Sequence, residues 1–222
     1  MTTLTRRTAL GGLATAVAIA PLVAASGARA QQMRIDNAAA MNGVTEVVIG
    51  SFIVAFLTDR TDRARAGGGL LAFPNSVVRM SEAEWAYMQA GAAEAGEAAL
   101  LTAVTPKVEA FAAGAQLTPS IRAVALAGHT PGHSGYEIVS GGDRLLYVGD
   151  AIHSSVISVQ RPDWVNGWDT DSAAGIATRQ GLLDRGASQG GRIYAPHFPF
   201  PGLGRFQRRD DGFVWLPAAV AD

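Results

Sequence analysis

Residues 128–134 read Gly128-His129-Thr130-Pro131-Gly132-His133-Ser134. This stretch decides the reading of the chain. It follows Ile121–Leu126, a run of strand type, and it puts two imidazoles in a loop held by Gly and Pro. Two further clusters follow strands in the same way. Tyr147-Val148-Gly149-Asp150-Ala151-Ile152-His153 succeeds 144–148, and Tyr194-Ala195-Pro196-His197-Phe198-Pro199-Phe200-Pro201-Gly202 succeeds 193–195. All four His of the chain lie in these loops, and the first 128 residues contain none. Loops carried by a rigid sheet are where ligands and catalytic groups collect.

Neutral imidazole and carboxylate together suit zinc, iron or manganese. His129, Asp150 and His197, one from each loop, form a candidate metal-ligand set. Asp150 has two oxygens and is also the candidate catalytic carboxylate. His153 taken alone reads as an ordinary loop His. Nucleophilic Ser catalysis ranks low, because Ser134, Ser154 and Ser155 lie near His but none sits in Gly-x-Ser-x-Gly. The Gly67-Gly68-Gly69 run has no Lys after it and reads as a connection, not a phosphate loop.

Outward from the clusters, the strand signals at 121–126, 135–140 and 144–148 alternate with turns, the last two joined through Gly141-Gly142-Asp143. Asp169 to Asp171 caps a helix expected to reach about Arg185. Upstream, Ser81-Glu82-Ala83-Glu84 forms a capping box, with Glu84 expected to reach back to the cap, and its helix is expected to run to about Ala92. A second helix is expected over 97–113, bent near Pro106. Val44–Thr58 is rich in β-branched and aromatic residues, broken by Gly50-Ser51, and reads as a hairpin; residues 76–80 read as a short strand. The mixture indicates a layered α/β domain.

Composition sets the outer limits. The chain has 222 residues, 48% hydrophobic and 17% charged, which excludes an extended disordered chain. With a net charge of −1 and no basic stripe, nucleic acid is not expected as a partner. The absence of Cys excludes a disulfide framework, a zinc ribbon and a thiol nucleophile. Arg6-Arg7, the apolar run Ala9–Ala25 and Ala28-Arg29-Ala30 read as an export leader of twin-arginine type, cut after Ala30. The expected product is periplasmic or secreted, with no stable membrane span after cleavage. Residues 31–43 read as a linker, and 44–222 as one domain.

The three loop motifs, in this order and spacing, resemble the metallo-β-lactamase superfamily, in particular exported hydrolases similar to acyl-homoserine lactonases. Ala72-Phe73-Pro74-Asn75, Ser81-Glu82-Ala83-Glu84-Trp85 and Arg161-Pro162-Asp163-Trp164 look like the same branch. The resemblance implies an αβ/βα sandwich with a metal centre at one edge. His129 would be a ligand of the first metal, Asp150 would bridge two metals, and His197 would hold the second. His133 matches a position that orients the loop. His133, His153, Trp164, Phe198 and Phe200 are expected around the substrate pocket. The substrate implied is a small lactone or ester, and the cofactor a divalent metal, zinc by preference.

The chain departs from the family pattern where His-x-His-x-Asp-His is expected. The loop Asp59-Arg60-Thr61-Asp62-Arg63-Ala64-Arg65-Ala66 has no His, and its three Arg repel a divalent cation. The sandwich therefore reads as incomplete in its N-terminal half, with an internal deletion near 59–67. One weak metal site is expected in place of two. A non-catalytic binding module or an incomplete gene product of the same family is the competing expectation.

Overall fold

The computed structural model describes residues 77–92, 101–102 and 104–218, and in addition the strands β1 (Thr15–Pro21), β2 (Val44–Ile49) and β3 (Phe52–Thr58). The expected junction near 59–67 lies outside the described residues. The expected hairpin is present, with β2 antiparallel to β3 and Ile49 opposite Phe52. β1, inside the expected leader, pairs antiparallel with the other side of β3.

The centre is a mixed seven-stranded sheet in the order β12-β11-β10-β9-β8-β7-β6. Its strands are β6 (Gln116–Thr118), β7 (Ile121–Ala125), β8 (Ser134–Ser140), β9 (Asp143–Tyr147), β10 (Arg192–Tyr194), β11 (Leu203–Arg209) and β12 (Gly212–Pro217). Gly141 and Gly142, both with φ > 0, close the two-residue turn between β8 and β9, the backbone that a tight hairpin demands. The three central strands agree with expectation to within one residue at each end.

Direction matters more than order. β7 is antiparallel to β8, β8 is antiparallel to β9, and β9 is parallel to β10. Thus β7, β9 and β10 run the same way and end at the same edge of the sheet. The loops that leave those three ends are the three His-bearing clusters. Tyr147 pairs level with Tyr194, so Asp150 and His197, each three residues further on, leave the sheet at matching heights.

One face of the sheet is covered by α3 (Ser172–Gln189), which is preceded in the chain by α1 (Glu82–Tyr87) and α2 (Ile157–Gln160). Leu182 and Leu183 of α3 are buried with Leu146, Val148, Ile152, Ile193 and Phe206. Each fully buried aliphatic side chain of this kind contributes about 1.5–3 kcal/mol. Ile138, Leu145, Tyr147, Tyr194 and Leu203 form a second buried cluster; Tyr136, Tyr147 and Tyr194 stack across three strands at centroid spacings of 6.1 and 6.0 Å.

Two helical expectations need correction. α1 ends at Tyr87 and passes into a wide turn over Met88–Ala92, where Gly91 has φ 90°. The helix expected to reach residue 113 stops in a 3-10 turn, Thr105–Lys107, and the chain becomes β5 (Val108–Phe111). β5 lies parallel to β4 (Val78–Ser81), with Val78 opposite Val108. Pro106 starts the tight turn, and strand pairing then overrides the Ala-rich helical preference. Among the described residues, no helix is long and apolar enough to cross a membrane.

Candidate metal centre

His129, Asp150, His153 and His197 meet at the shared sheet edge. The Asp150 carboxylate takes one imidazole on each oxygen: His197 Nε2 lies 2.7 Å from Oδ1 and His129 Nε2 lies 3.3 Å from Oδ2. His153 stacks on His197 with centroids 4.5 Å apart and stands 5.5 Å from His129. Burial pushes the Asp150 carboxyl up, but the His197 hydrogen bond and the neighbouring imidazoles outweigh it and hold the group below the usual carboxylate range.

His133 plays a different part. Its Nδ1 lies 3.1 Å from the Leu126 carbonyl, so Nδ1 carries the proton and donates. Its Nε2 then accepts from the Asp150 backbone N–H at 2.9 Å. Both ring nitrogens are committed to backbone, and burial lowers the pKa, so this ring is neutral and does not face a substrate. It ties the loop after β7 to the loop after β9.

His153 is oriented by Asn166, a residue the motifs did not single out. The Asn166 side-chain oxygen accepts from Trp168 N at 3.3 Å, which places its NH2 against His153 Nδ1 at 3.0 Å. Nδ1 is therefore the acceptor, and the proton of neutral His153 sits on Nε2. Burial and the neighbouring His197 lower its pKa to about 4.

The loop carrying His129 is braced from both sides. Ser81 Oγ caps α1 by accepting from Glu84 N at 3.1 Å and donates to the Gly132 carbonyl at 2.6 Å. The Glu84 carboxylate accepts from the Thr130 hydroxyl. The capping box expected from sequence is thus half present: Ser81 caps, but Glu84 serves the loop carrying His129. Gly132 sits so close that a Cβ there would lie 1.9 Å from Glu84 N. On the other side Thr178 of α3 donates to the Ala127 carbonyl, Thr170 N donates to His129 O at 3.1 Å, and Asp171 N donates to Gly128 O at 3.0 Å. Gly128 has φ 137°, and its Cβ would lie 2.4 Å from the Gly175 backbone.

Under this loop lies a buried ion pair, Arg179 Nη1 to Asp169 Oδ2 at 2.7 Å, with both side chains at most 2% exposed. Arg179 Nη2 also donates to the Trp164 carbonyl at 3.0 Å. Arg179 lies on the inward stripe of α3 with Gly175, Leu182 and Gly186, and a cation on that apolar stripe was the signal in the sequence for a buried partner.

Of the remaining expected pocket residues, Trp164 and Phe200 are about half exposed, and the Arg161 guanidinium rests over the Trp164 ring at 4.7 Å. Phe198 is corrected: it is buried and packs edge-on to Trp215 at 4.8 Å, so it belongs to the core and does not wall a pocket.

Does the donor set fit a metal? Two ligands bound at about 2.0–2.1 Å to a tetrahedral cation lie about 3.3 Å apart. The His129–Asp150 separation meets this, while His197 is closed to hydrogen-bond distance of the carboxylate. Among the described residues, no three His, Asp or Glu side chains surround a common cation position. Two imidazoles and one carboxylate are of the chemical class that zinc accepts.

No family model matches the chain, and no curated relative matches it. Solved structures do. The chain is similar to AidC, a dizinc quorum-quenching lactonase in complex with an acyl-homoserine product, at 29% identity and a TM-score of 0.63, covering 70% of this chain and 59% of that one. It is similar to the hydrolase AbOPH of the β-lactamase superfamily at 27% identity and a TM-score of 0.62, with the same coverage. A probable metal-dependent hydrolase from Staphylococcus aureus, at 18% identity and a TM-score of 0.52, shares the fold, covering 67% of this chain and 55% of that one. The chain spans about six-tenths of the length of these structures. Its α/β fold is that of the metallo-β-lactamase superfamily, with similarity to lactonase-like members.

Proposed function

We propose that this chain, of metallo-β-lactamase fold, is a metal-dependent hydrolase of a small lactone or ester, working with one divalent cation held by His129, Asp150 and His197. The observation that carries the reading is the convergence of two imidazole Nε2 atoms on the two oxygens of one carboxylate, at 2.7 and 3.3 Å, from three separate loops. A bound divalent cation acidifies water and polarises a carbonyl. The protein's own groups do the rest. Asp150, held ionised, supplies the negative charge that a cation requires. His133 fixes the Asp150 backbone, so the carboxylate points to the cluster without reorganisation. His153 is kept neutral with its proton on Nε2, positioned by Asn166 to donate a hydrogen bond to a substrate carbonyl oxygen. Trp164 and Phe200, both about half exposed, offer apolar surface to a substrate. The leader motif supports an exported, periplasmic or secreted location.

A second reading, a binding module without turnover, is favoured by the closed His197–Asp150 hydrogen bond, which occupies the donors. One experiment separates the two. Purified protein is analysed for metal and assayed on acyl-homoserine lactones and aryl esters, with and without chelator. The hydrolase reading expects close to one metal per chain and chelator-sensitive turnover. Less than about half a metal per chain with no turnover refutes the hydrolase reading, and ligand binding that persists with chelator supports the binding reading.

A further inference from the structure

Two buried side-chain polar atoms are without a hydrogen-bond partner among the described residues: His129 Nδ1 and Asp169 Oδ1. An unpaired polar atom in the interior is destabilising. Their chemistry is complementary, since a ring that binds a cation through Nε2 must carry its proton on Nδ1 and needs an acceptor there. Asp169 Oδ1 is such an acceptor, because the other oxygen alone is engaged by Arg179.

The surrounding backbone brings the two segments together. Thr170 N donates to the His129 carbonyl, and Asp171 N donates to that of Gly128. A Cβ on Gly128 would strike Gly175, and a Cβ on Gly175 would lie 2.2 Å from Asp169 Oδ2. Gly128, Gly175 and Asp169 are thus packed in direct succession. The Asp169 side chain is 1% exposed, so its free oxygen is not spent on bulk solvent.

We infer that Asp169 is the positioning residue of the centre: its Oδ1 accepts the Nδ1 proton of His129, directly or through one water, when His129 Nε2 ligates the cation. Arg179 aims Asp169 by holding its Oδ2, and ties the same carboxylate to the loop of Trp164 and Asn166 that orients His153. The inference rests on the cation reading above and extends it to a residue that touches neither cation nor substrate.

The test uses the full chain and Zn2+. Zn2+ affinity is measured by chelator competition for wild type, Asp169→Ala and Asp169→Asn. Long-range proton–nitrogen spectra of the loaded proteins report which nitrogen of His129 holds the proton. Loss of such an orienting partner weakens metal binding about 10- to 100-fold. Asp169→Ala is expected to show that loss, and Asp169→Asn, which retains a carbonyl oxygen, to recover part of it. Wild type is expected to show His129 protonated on Nδ1 with a hydrogen-bonded proton signal. That spectrum needs no variant to fold. Wild-type affinity in folded Asp169→Ala, or a loaded wild type whose His129 Nδ1 proton exchanges like a solvent-exposed one, overturns the inference. Zn2+ uptake with no turnover overturns the hydrolase reading alone; no uptake by wild type overturns both.

Discussion

Replacing His133 by Leu isolates the strut between two ligand loops. The substitution keeps an apolar side chain of similar bulk and deletes both ring nitrogens. Two hydrogen bonds go, at 3.1 Å to the Leu126 carbonyl and at 2.9 Å from the Asp150 N–H. Each leaves a backbone group in a partly buried place without its partner, at about 1–3 kcal/mol apiece. A total loss of about 2–4 kcal/mol follows. In a domain of this size that lowers Tm by roughly 4–16 °C. Thermal unfolding followed by circular dichroism is the assay. His133→Gln, whose amide can both donate and accept, should recover a good part of the loss. The reasoning is refuted if His133→Leu unfolds within 2 °C of wild type, or if Gln is no better than Leu.

Three more outcomes follow from the same geometry. Arg179→Met strands the Asp169 charge in the interior and should cost about 3–5 kcal/mol in denaturant unfolding; adding Asp169→Asn should restore part of it. An unchanged midpoint for the single variant would refute the buried pair. Gly128→Ala should destabilise by about 2 kcal/mol or more and weaken Zn2+ binding, because the new methyl meets the Gly175 backbone at 2.4 Å and the φ of 137° is strained for any side chain; equal stability by calorimetry counts against it. His153 titrates near 4 in the fold and near 6.5 in the unfolded chain. Between those values the unfolded chain binds more protons, so stability falls as pH drops from about 6.5 to 4 and is level above. The full difference is roughly 3 kcal/mol, and a partly solvated ring realises about half. His153→Gln should flatten that slope in urea titrations across the window.

What could be read from sequence divides along physical lines. The central strands and α3 were legible because alternation, a Gly-Gly turn and an Asp cap are local signals. The three donor loops were legible for the same reason: each follows a strand and is punctuated by Gly or Pro. Residues 108–111 were misread because their strand state depends on β4, about thirty residues away, and no local pattern reports a parallel partner. The Glu84 role was hidden likewise, since its carboxylate serves Thr130 and not its own helix. The hairpin of β11 and β12 escaped notice although Phe206, Phe213 and Trp215 mark it with aromatics. Asn166, Asp169 and Arg179 were invisible as a set because their meaning is a burial and a contact, and neither has a sequence period beyond the single cation on the inner stripe of α3.

The level pairing of Tyr147 with Tyr194 has a consequence for how sharply the donors are spaced. β10 is three residues long and is clasped by β9 on one side and by β11 on the other, where Ile193 faces Gly204 and Tyr194 faces Leu203. A slip by one residue would carry His197 about 3.3 Å along the strand axis and turn the intervening side chains to the opposite face. The gap between Asp150 and His197 is therefore a gauge of alignment in a very short ladder. Anything that loosens those few backbone bonds detunes the centre before the rest of the sheet feels it.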